Sequence, residues 1–282
     1  MAFLLIIGAA AATSTGAVIA ALEARRAPSS LALHPSLLAG VVRRPLWRLA
    51  AGLDVLGWVL RTAALMVAPL TLVAPGMAVG LLILLGLSAL VLGERAGPQA
   101  LTGVVTLGAG VVLVVIHAPE RSVSVASPGT WAVCVLALAL GAALAFIARA
   151  NGRDVDARLI AMSAGFAWAL NAVLAKLLAD AISEGRTLLA AGAVAATILV
   201  TVTAYLAKTS ALQSGPAAVV ESVIAVVNTM VPVALAPLLF GETWPTDPEH
   251  AVTLATGILL VGLGVWALSR SSARLLADAP GA

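Results

Sequence analysis

The stretch from Ala68 to Arg121 reads APLTLVAPGMAVGLLILLGLSALVLGERAGPQALTGVVTLGAGVVLVVIHAPER, two long apolar runs on either side of the polar corner Gly93-Glu94-Arg95. Each run is about twenty residues long, which is the length that an α-helix needs to cross a bilayer. The same design returns near the C-terminus, where Gly241-Glu242 precedes a second Gly-rich apolar run. A pair of spanning helices joined by a short Gly-Glu corner, occurring twice, is therefore the unit from which we predict the fold.

The composition of the whole chain agrees with this unit. The 282 residues are 61% hydrophobic and 10% charged, and the mean hydropathy is +1.09, whereas soluble domains are nearer one half apolar and one quarter charged. Apolar runs of about twenty residues favour helices over the strands of about ten residues in a membrane barrel. The predicted fold class is therefore an all-α, multi-pass membrane helix bundle. Residues 1–282 form one domain whose partner is the lipid bilayer, and the net charge of +3 is assigned to cytoplasmic loops rather than to nucleic-acid binding.

Nine membrane spans are predicted along the chain. They lie at about 2–22, 49–68, 70–92, 98–117, 130–149, 158–179, 187–208, 217–240 and 251–269. The second and third spans are separated only by a turn at Pro69. Twelve basic residues, Lys208 among them, fall at one side of these spans and three at the other, so the positive-inside rule places the N-terminus outside and the C-terminus in the cytoplasm. We expect a plasma-membrane protein with a cytoplasmic loop at 23–48 and a cytoplasmic tail at 270–282.

An internal repeat divides the chain into two halves. The Gly-Glu corners match each other, and three glycines after each corner match in pairs 154 residues apart: Gly103 with Gly257, Gly108 with Gly262, and Gly110 with Gly264. Residues 1–121 are predicted as a first repeat of four spans, 130–149 as a connecting span, and 158–269 as a second repeat of four spans. Under the predicted orientation the first corner is cytoplasmic and the second external, so the repeats have opposite topology. Inverted repeats are typical of secondary transporters, whose substrate site lies near the membrane midplane between the halves.

The residues of this hairpin also resemble a known family. The Gly-Glu-Arg corner and the Gly-rich span after it resemble the drug/metabolite transporter superfamily. Within it, APLTLVAPGMAVG (68–80), LGER (92–95) and VVIHAPE (114–120) are similar to the NIPA branch of proposed magnesium transporters. The resemblance implies an inverted-repeat helical transporter and Mg²⁺ as substrate. The Glu and Asn that the branch carries in the preceding span correspond to Trp58 and Arg61 here, so the resemblance implies the fold more strongly than magnesium specificity.

Three ionisable residues lie inside predicted spans, namely Asp54, Arg61 and Glu221. Such groups cost about 2.5–3.5 kcal/mol each at a helix centre on insertion scales, and they commonly mark substrate pathways. Asp54 lies two helical turns before Arg61 on nearly the same face. We expect the three residues to line a cavity between the repeats and to bind substrate. The alternative is a structural ion pair of Arg61 with Asp54 or Glu221.

Several uncharged polar residues are further candidates. Asn228 follows Glu221 by seven residues and shares its helix face, while Asn171 and Tyr205 lie inside other spans. We expect these three to contact substrate, although hydrogen bonds between helices are the alternative. Prolines are predicted to interrupt the third and eighth spans, at Pro75, Pro232 and Pro237. The corner carboxylates Glu94 and Glu242 are predicted to cap helices.

The substrate class stays open between alternatives. Asp54 and Glu221 are candidate metal ligands, because Mg²⁺ prefers oxygen donors, and Asn228 would add a carbonyl. An unneutralised Arg61 would instead favour an anionic or zwitterionic organic metabolite, and a non-transporting membrane scaffold is a third alternative. The sequence holds no GxxxxGK[ST] loop and no spacing typical of an enzyme or zinc site, so we predict neither catalysis nor a cofactor. It does not determine the oligomeric state.

Overall fold

The architecture is a helix bundle in the computed structural model, which describes residues 1–24, 40, 42–80, 82–83, 86–87, 98–120, 122, 126–215 and 217–277 and has no strand in those ranges. Nine helices with defined bounds lie there: α1 (Ala2–Ala24), α2 (Pro45–Leu65), α3 (Leu70–Met77), α4 (Pro98–His117), α5 (Pro128–Ala150), α6 (Ala157–Ser183), α7 (Thr187–Ser214), α8 (Ala217–Phe240) and α9 (Pro248–Ala277). Six helices of the described part, α1 and α5 to α9, carry apolar stretches long enough to cross a bilayer. The protein is therefore a multi-pass membrane helix bundle.

The predicted span boundaries agree with most of these helices. The bounds of α4 and α8 coincide with the fourth and eighth predicted spans, and Pro69 separates α2 from α3. Three helices end well beyond their predicted bounds: α6 at Ser183, α7 at Ser214 and α9 at Ala277. The first corner, Gly93-Glu94-Arg95, and most of the predicted loop at 23–48 lie outside the described residues.

Helix α3 is short because the chain tightens after Pro75. The Ala78 N–H donates to the Pro75 carbonyl at 2.9 Å and the Val79 N–H to the Gly76 carbonyl at 3.2 Å, which is the i to i+3 spacing of a 3₁₀ turn. At the break, the Ser14 hydroxyl of α1 donates to the Gly80 carbonyl at 2.6 Å. That bond supplies a partner that hydrocarbon could not provide.

The eighth span differs from the prediction. Helix α8 runs as one continuous helix through Pro232 and Pro237, so the expected interruption by proline is found in the third span and not in the eighth. Proline removes one backbone N–H and crowds the preceding turn, yet the interhelical packing of α8 keeps it helical. α8 contacts α3, α6 and α9, and these neighbours hold it in place on several faces.

Small residues set the closest helix contacts. The pairs α1 with α2, α6 with α7, and α4 with α9 pack most extensively. Between α1 and α2, a Cβ built on Gly16 would lie 2.9 Å from the Ala50 carbonyl oxygen, and one on Gly57 would lie 2.5 Å from a methyl group of Thr13. Membrane helices associate through such close van der Waals packing, because in lipid there is little hydrophobic driving force between helices.

Of the glycines that match between the repeats, Gly110, Gly257 and Gly264 form the seam between α4 and α9. A Cβ on Gly110 would lie 2.5 Å from the Val261 backbone nitrogen, and one on Gly264 would lie 2.5 Å from the Leu107 backbone nitrogen. By contrast, a Cβ on Gly108 would meet no atom within 4 Å. The seam therefore needs glycine at specific positions rather than a generally flexible helix.

Replacing Gly110 by Ala should destabilise the bundle by about 1–3 kcal/mol, because the added methyl meets rigid backbone atoms of α9. Gly108→Ala is the matched control, since it makes the same change on the same helix in open space. Thermal unfolding of the purified chain in detergent would measure both, and we expect a lower midpoint for Gly110→Ala alone. Equal unfolding midpoints for the two variants would contradict the close contact of Gly110 with α9.

Candidate functional site

A cavity of about 130 Å³ lies between α1, α2, α6, α7, α8 and the end of the α3 segment. One water molecule needs about 10–15 Å³ on the same measure, so the cavity has room for several waters or a small solute. Its lining is partly polar, and the polar or charged members are Thr13, Ser14, Asp54, Trp58, Arg61, Lys208, Asn228 and Thr229. The cavity therefore brings together three of the predicted substrate-binding residues, Asp54, Arg61 and Asn228.

The side chain of Asp54 is held in place by a hydrogen bond from Tyr205. Its side chain is buried, and its Oδ2 accepts a hydrogen bond of 2.8 Å from the Tyr205 hydroxyl. The Tyr205 ring in turn packs edge-on against Trp47 and Trp168, with centroids 6.0 Å and 5.4 Å away. Tyr205, which the sequence predicts as a substrate contact, is thus placed to orient Asp54 and is not part of the cavity lining.

Arg61 is a buried cation whose guanidinium is not fully hydrogen-bonded. The residue is only 7% exposed, and no described residue accepts a hydrogen bond from its Nη2. Among the carboxylates whose side chains the structure describes, none lies within ion-pair distance of Arg61, Asp54 included, while a pair with Glu221 stays untested. The structural pair of Arg61 with Asp54, one of the alternatives above, is therefore not formed.

Two more residues of the lining carry a buried polar atom without a partner among the described residues. The atoms are Nε1 of Trp58, three residues before Arg61, and Oδ1 of Asn228 on α8. Buried polar atoms in folded proteins are nearly always hydrogen-bonded, so exceptions call for a physical reason. All three residues border the cavity, but the unsatisfied atoms themselves are enclosed by neighbouring atoms and are not exposed to it.

The remaining predicted site residues lie elsewhere. Asn171 is fully buried and donates to the Thr201 hydroxyl at 2.9 Å, which joins α6 to α7 outside the cavity. Glu221 belongs to α8, but its side chain lies outside the described residues. As candidate metal ligands, Asp54 and Glu221 therefore stay predictions.

Several cavity residues escaped the sequence reasoning, among them Thr13, Ser14, Trp58 and Lys208. Lys208 is buried and lines the cavity, although its basic charge assigned it to a cytoplasmic segment. The structure shows that α7 continues past Lys208 to Ser214, an extension that the residue pattern does not signal. Trp58 was noted only as a departure from the family pattern, because tryptophan in an apolar span carries no local mark of function.

A second charged cluster lies toward the other end of α6 and α8. Lys176, Asp180 and Glu242 are all fully buried, with Lys176 Nζ 2.9 Å from Asp180 Oδ1 and 3.8 Å from Glu242 Oε1. Lys176 also donates to the Ser122 carbonyl at 2.9 Å and lies over the Phe240 ring. Along α6, this cluster is about 12 Å from the cavity residue Trp168, at 1.5 Å per residue.

Glu242 connects this cluster to α3. One carboxylate oxygen accepts from the Leu70 N–H at 2.7 Å, and the other accepts from the Thr71 N–H at 2.9 Å and the Thr71 hydroxyl at 2.8 Å. These are free backbone donors of the first helical turn, where a negative charge is stabilised by the helix dipole. The predicted capping role is confirmed for Glu242, while Glu94 lies outside the described residues.

A third polar cluster is exposed, where α4 ends and α9 begins. The rings of His117 and His250 are 5.2 Å apart, and Nδ1 of His250 is 2.7 Å from the Asp247 carboxylate. The hydrogen bond with His250 lowers the pKa of Asp247 below its ordinary value. Within the described ranges, no group of three His, Cys, Asp or Glu side chains is arranged to hold a metal ion.

Comparison with known proteins yields one informative similarity. The chain is 27% identical over 263 residues to a protein of Arabidopsis thaliana named probable magnesium transporter NIPA9, which covers 89% of this chain and 76% of that relative. No protein-family model matches the chain. No solved structure matches it either.

The charged cluster generates a stability prediction. Lys176→Met should destabilise the protein by roughly 3–5 kcal/mol, because it leaves the buried Asp180 and Glu242 carboxylates without the cation between them. Arg186→Gln, which breaks the solvent-accessible pair with Glu184, is the control and should change stability by less than about 1 kcal/mol. Thermal unfolding in detergent measures both variants. A Lys176→Met midpoint equal to the control would show that the cluster does not hold the bundle together.

Proposed function

We propose that this chain is a secondary-type membrane transporter that carries a small polar solute through the cavity between α1, α2 and α8. The observation that carries the proposal is the cavity itself, because its lining includes the buried ionisable residues Asp54, Arg61 and Lys208 inside the bundle. Polar and charged groups inside a membrane bundle are costly and commonly mark a substrate pathway. The similarity to a relative named as a transporter supports the same conclusion.

The architecture of the proposed transporter is two inverted repeats of the drug/metabolite transporter type. Gly110 contacts Val261, and Gly264 contacts Leu107. Gly264 lies 154 positions after Gly110, and Val261 lies 154 positions after Leu107, so the two contacts are equivalent in the two halves. The helix pairs agree with this exchange, because α1 packs on α2 as α6 packs on α7, and α2 touches α6 as α1 touches α7. Such reciprocal contacts are expected of halves related by a two-fold axis. The halves are 1–121 and 158–269, with α5 as the connector.

The proposed mechanism is alternating access. One half rocks against the other about the cavity, as inverted-repeat transporters do. The 3₁₀ turn after Pro75 lies next to cavity residues Met77 and Ala78, so a change there would reshape the cavity wall. The distribution of basic residues supports an N-out, C-in orientation in the plasma membrane.

Mg²⁺ is the first substrate candidate. The relative bears the name of a probable magnesium transporter, and Asp54 supplies a hard oxygen ligand in the cavity, with Glu221 proposed as a second. Mg²⁺ keeps several waters when it binds proteins and so needs few protein ligands. A partly hydrated ion would suit a cavity of about 130 Å³.

A small organic metabolite is the second candidate, favoured by Arg61, whose Nη2 has no hydrogen-bond partner among the described residues. A guanidinium repels a dication but binds carboxylates well. A non-transporting membrane scaffold would require that Asp54, Arg61 and Glu221 be tightly packed or face lipid. The cavity beside Asp54 and Arg61 argues against it.

The transport proposal is tested by reconstituting the full chain in proteoliposomes with an entrapped magnesium-sensitive dye. If Mg²⁺ is the substrate, uptake should exceed that of empty liposomes, and Asp54→Asn and Glu221→Gln should each reduce it about tenfold or more, as expected from loss of a charged ligand. Glu120→Gln, the same change at an exposed residue, should leave uptake unchanged. Absence of uptake above empty liposomes would eliminate Mg²⁺ and leave the organic solute.

A further inference from the structure

We propose that His117 and His250 form a surface site for a divalent transition-metal ion such as Zn²⁺, separate from the cavity. His117 ends α4 and His250 lies in the first turn of α9, and these are the last helices of the two proposed repeats. An ion held by both rings would tie the two helix ends together. The inference does not depend on the proposed transport function.

The Nδ1 atom of each ring is held by a hydrogen-bond acceptor. Nδ1 of His117 lies 3.1 Å from the Leu113 carbonyl oxygen, and Nδ1 of His250 lies 2.7 Å from Oδ2 of Asp247. A carbonyl oxygen only accepts, and so does the Asp247 carboxylate, whose lowered pKa keeps it ionised at neutral pH. Each Nδ1 therefore carries the proton, and in a neutral imidazole Nε2 then holds the lone pair that a metal ion binds.

This support of the rings is typical of histidines that bind metals. A metal-bound histidine almost always donates its second ring N–H to a carboxylate, a backbone carbonyl or water, which fixes the ring and raises its basicity. His250 has the carboxylate form of this support, and His117 has the carbonyl form. Asp247 is itself fixed, because its carboxylate also accepts from the His250 backbone N–H at 3.2 Å.

The separation of the two rings suits one shared ion. Their centroids are 5.2 Å apart and their planes are inclined by 49°, so the rings are not stacked face to face. Two imidazoles on one tetrahedral Zn²⁺, each with a Zn–N bond of about 2.0–2.1 Å, have centroids roughly 5 Å apart. The observed separation therefore matches the one that a shared ion requires.

The seam between α4 and α9 holds the histidines at this separation. A Cβ built on Gly257 would lie 2.9 Å from Cβ of Leu113 and 3.0 Å from the Val114 backbone nitrogen, so the helices are in close contact about one turn before His117. His250 is about two turns before Gly257 on α9. Ligands on packed helices are positioned more precisely than ligands on loops, so the site is largely formed before an ion arrives.

The donor atoms determine the class of ion. Imidazole nitrogen suits Zn²⁺, Cu²⁺ and Ni²⁺, whereas Mg²⁺ prefers oxygen ligands. In the part of the chain that the structure describes, no third His, Cys, Asp or Glu completes a metal-ligand group with this pair, so water would fill the remaining positions. The His250 side chain is 57% exposed, which gives an ion and its waters access.

The test is titration calorimetry of the full chain in lipid nanodiscs with zinc chloride, using protein purified without a polyhistidine tag. We expect Zn²⁺ to bind at a site from which an equal concentration of magnesium chloride does not displace it. His117→Gln and His250→Gln should each weaken Zn²⁺ binding by about tenfold or more, since each removes one of two protein ligands. His34→Gln, the same change at the third histidine of the chain, is the matched control and should leave the affinity unchanged.

Two further measurements test whether the two rings share one ion. Zinc chloride should raise the thermal unfolding midpoint of the parent chain by mass action, and this shift should be lost in each single histidine variant. Asp247→Asn keeps a residue that can cap α9 but removes the charge behind His250, so it should weaken Zn²⁺ binding about tenfold.

Both histidines are at least partly exposed, so the glutamine variants should fold. The inference is overturned if the parent chain does not bind Zn²⁺, or if either single histidine variant binds it as the parent does. It is equally overturned if His34→Gln loses binding to the same extent, or if magnesium chloride displaces the zinc.

Discussion

The centre of the bundle depends on the hydrogen bonds that the Glu242 carboxylate accepts at the start of α3. Helix α3 is only 8 residues long, and hydrocarbon offers no partner for the free N–H groups of its first turn. Glu242 accepts from Leu70 and Thr71, and Lys176 offsets its charge. At the other end of this segment, Ser14 binds the Gly80 carbonyl. These bonds fix a short, broken helix whose final residues form part of the cavity wall.

The two buried charged regions satisfy the same bilayer constraint in different ways. At the Glu242 end, Lys176 has carboxylates, a carbonyl and an aromatic ring around it. In the cavity, Arg61 has no ion-pair partner among the carboxylates whose side chains the structure describes, although Asp54 lies on the same helix two turns away. A purely structural arginine would be expected to acquire a partner as Lys176 does. We therefore propose that the first region holds the fold together and that the second binds solute.

The sequence predicted the helices better than it predicted the pairing of their side chains. Apolar length, Pro69 and the Gly-Glu corner are local signals, and they placed α4 and α8 at their observed bounds. The cost of charge inside a span likewise marked Asp54 and Arg61 as cavity candidates. Their partners depend on tertiary contacts: Asp54 binds Tyr205, 151 residues away, rather than Arg61. Lys208 was missed because a helix that extends beyond its apolar core gives no boundary signal in the residue pattern.

The residues that hold the fold are separate from those that would choose the solute. The α4–α9 seam requires glycine at Gly110 and Gly264, and the Glu242 cluster lies about 12 Å from the cavity along α6. Neither contributes a side chain to the lining. Exchanges at cavity positions such as Trp58 and Arg61 can therefore change the charge that a solute meets without disturbing the seam or the capped α3. Similarity spread over most of the chain can then persist between proteins whose cavities accept solutes of opposite charge.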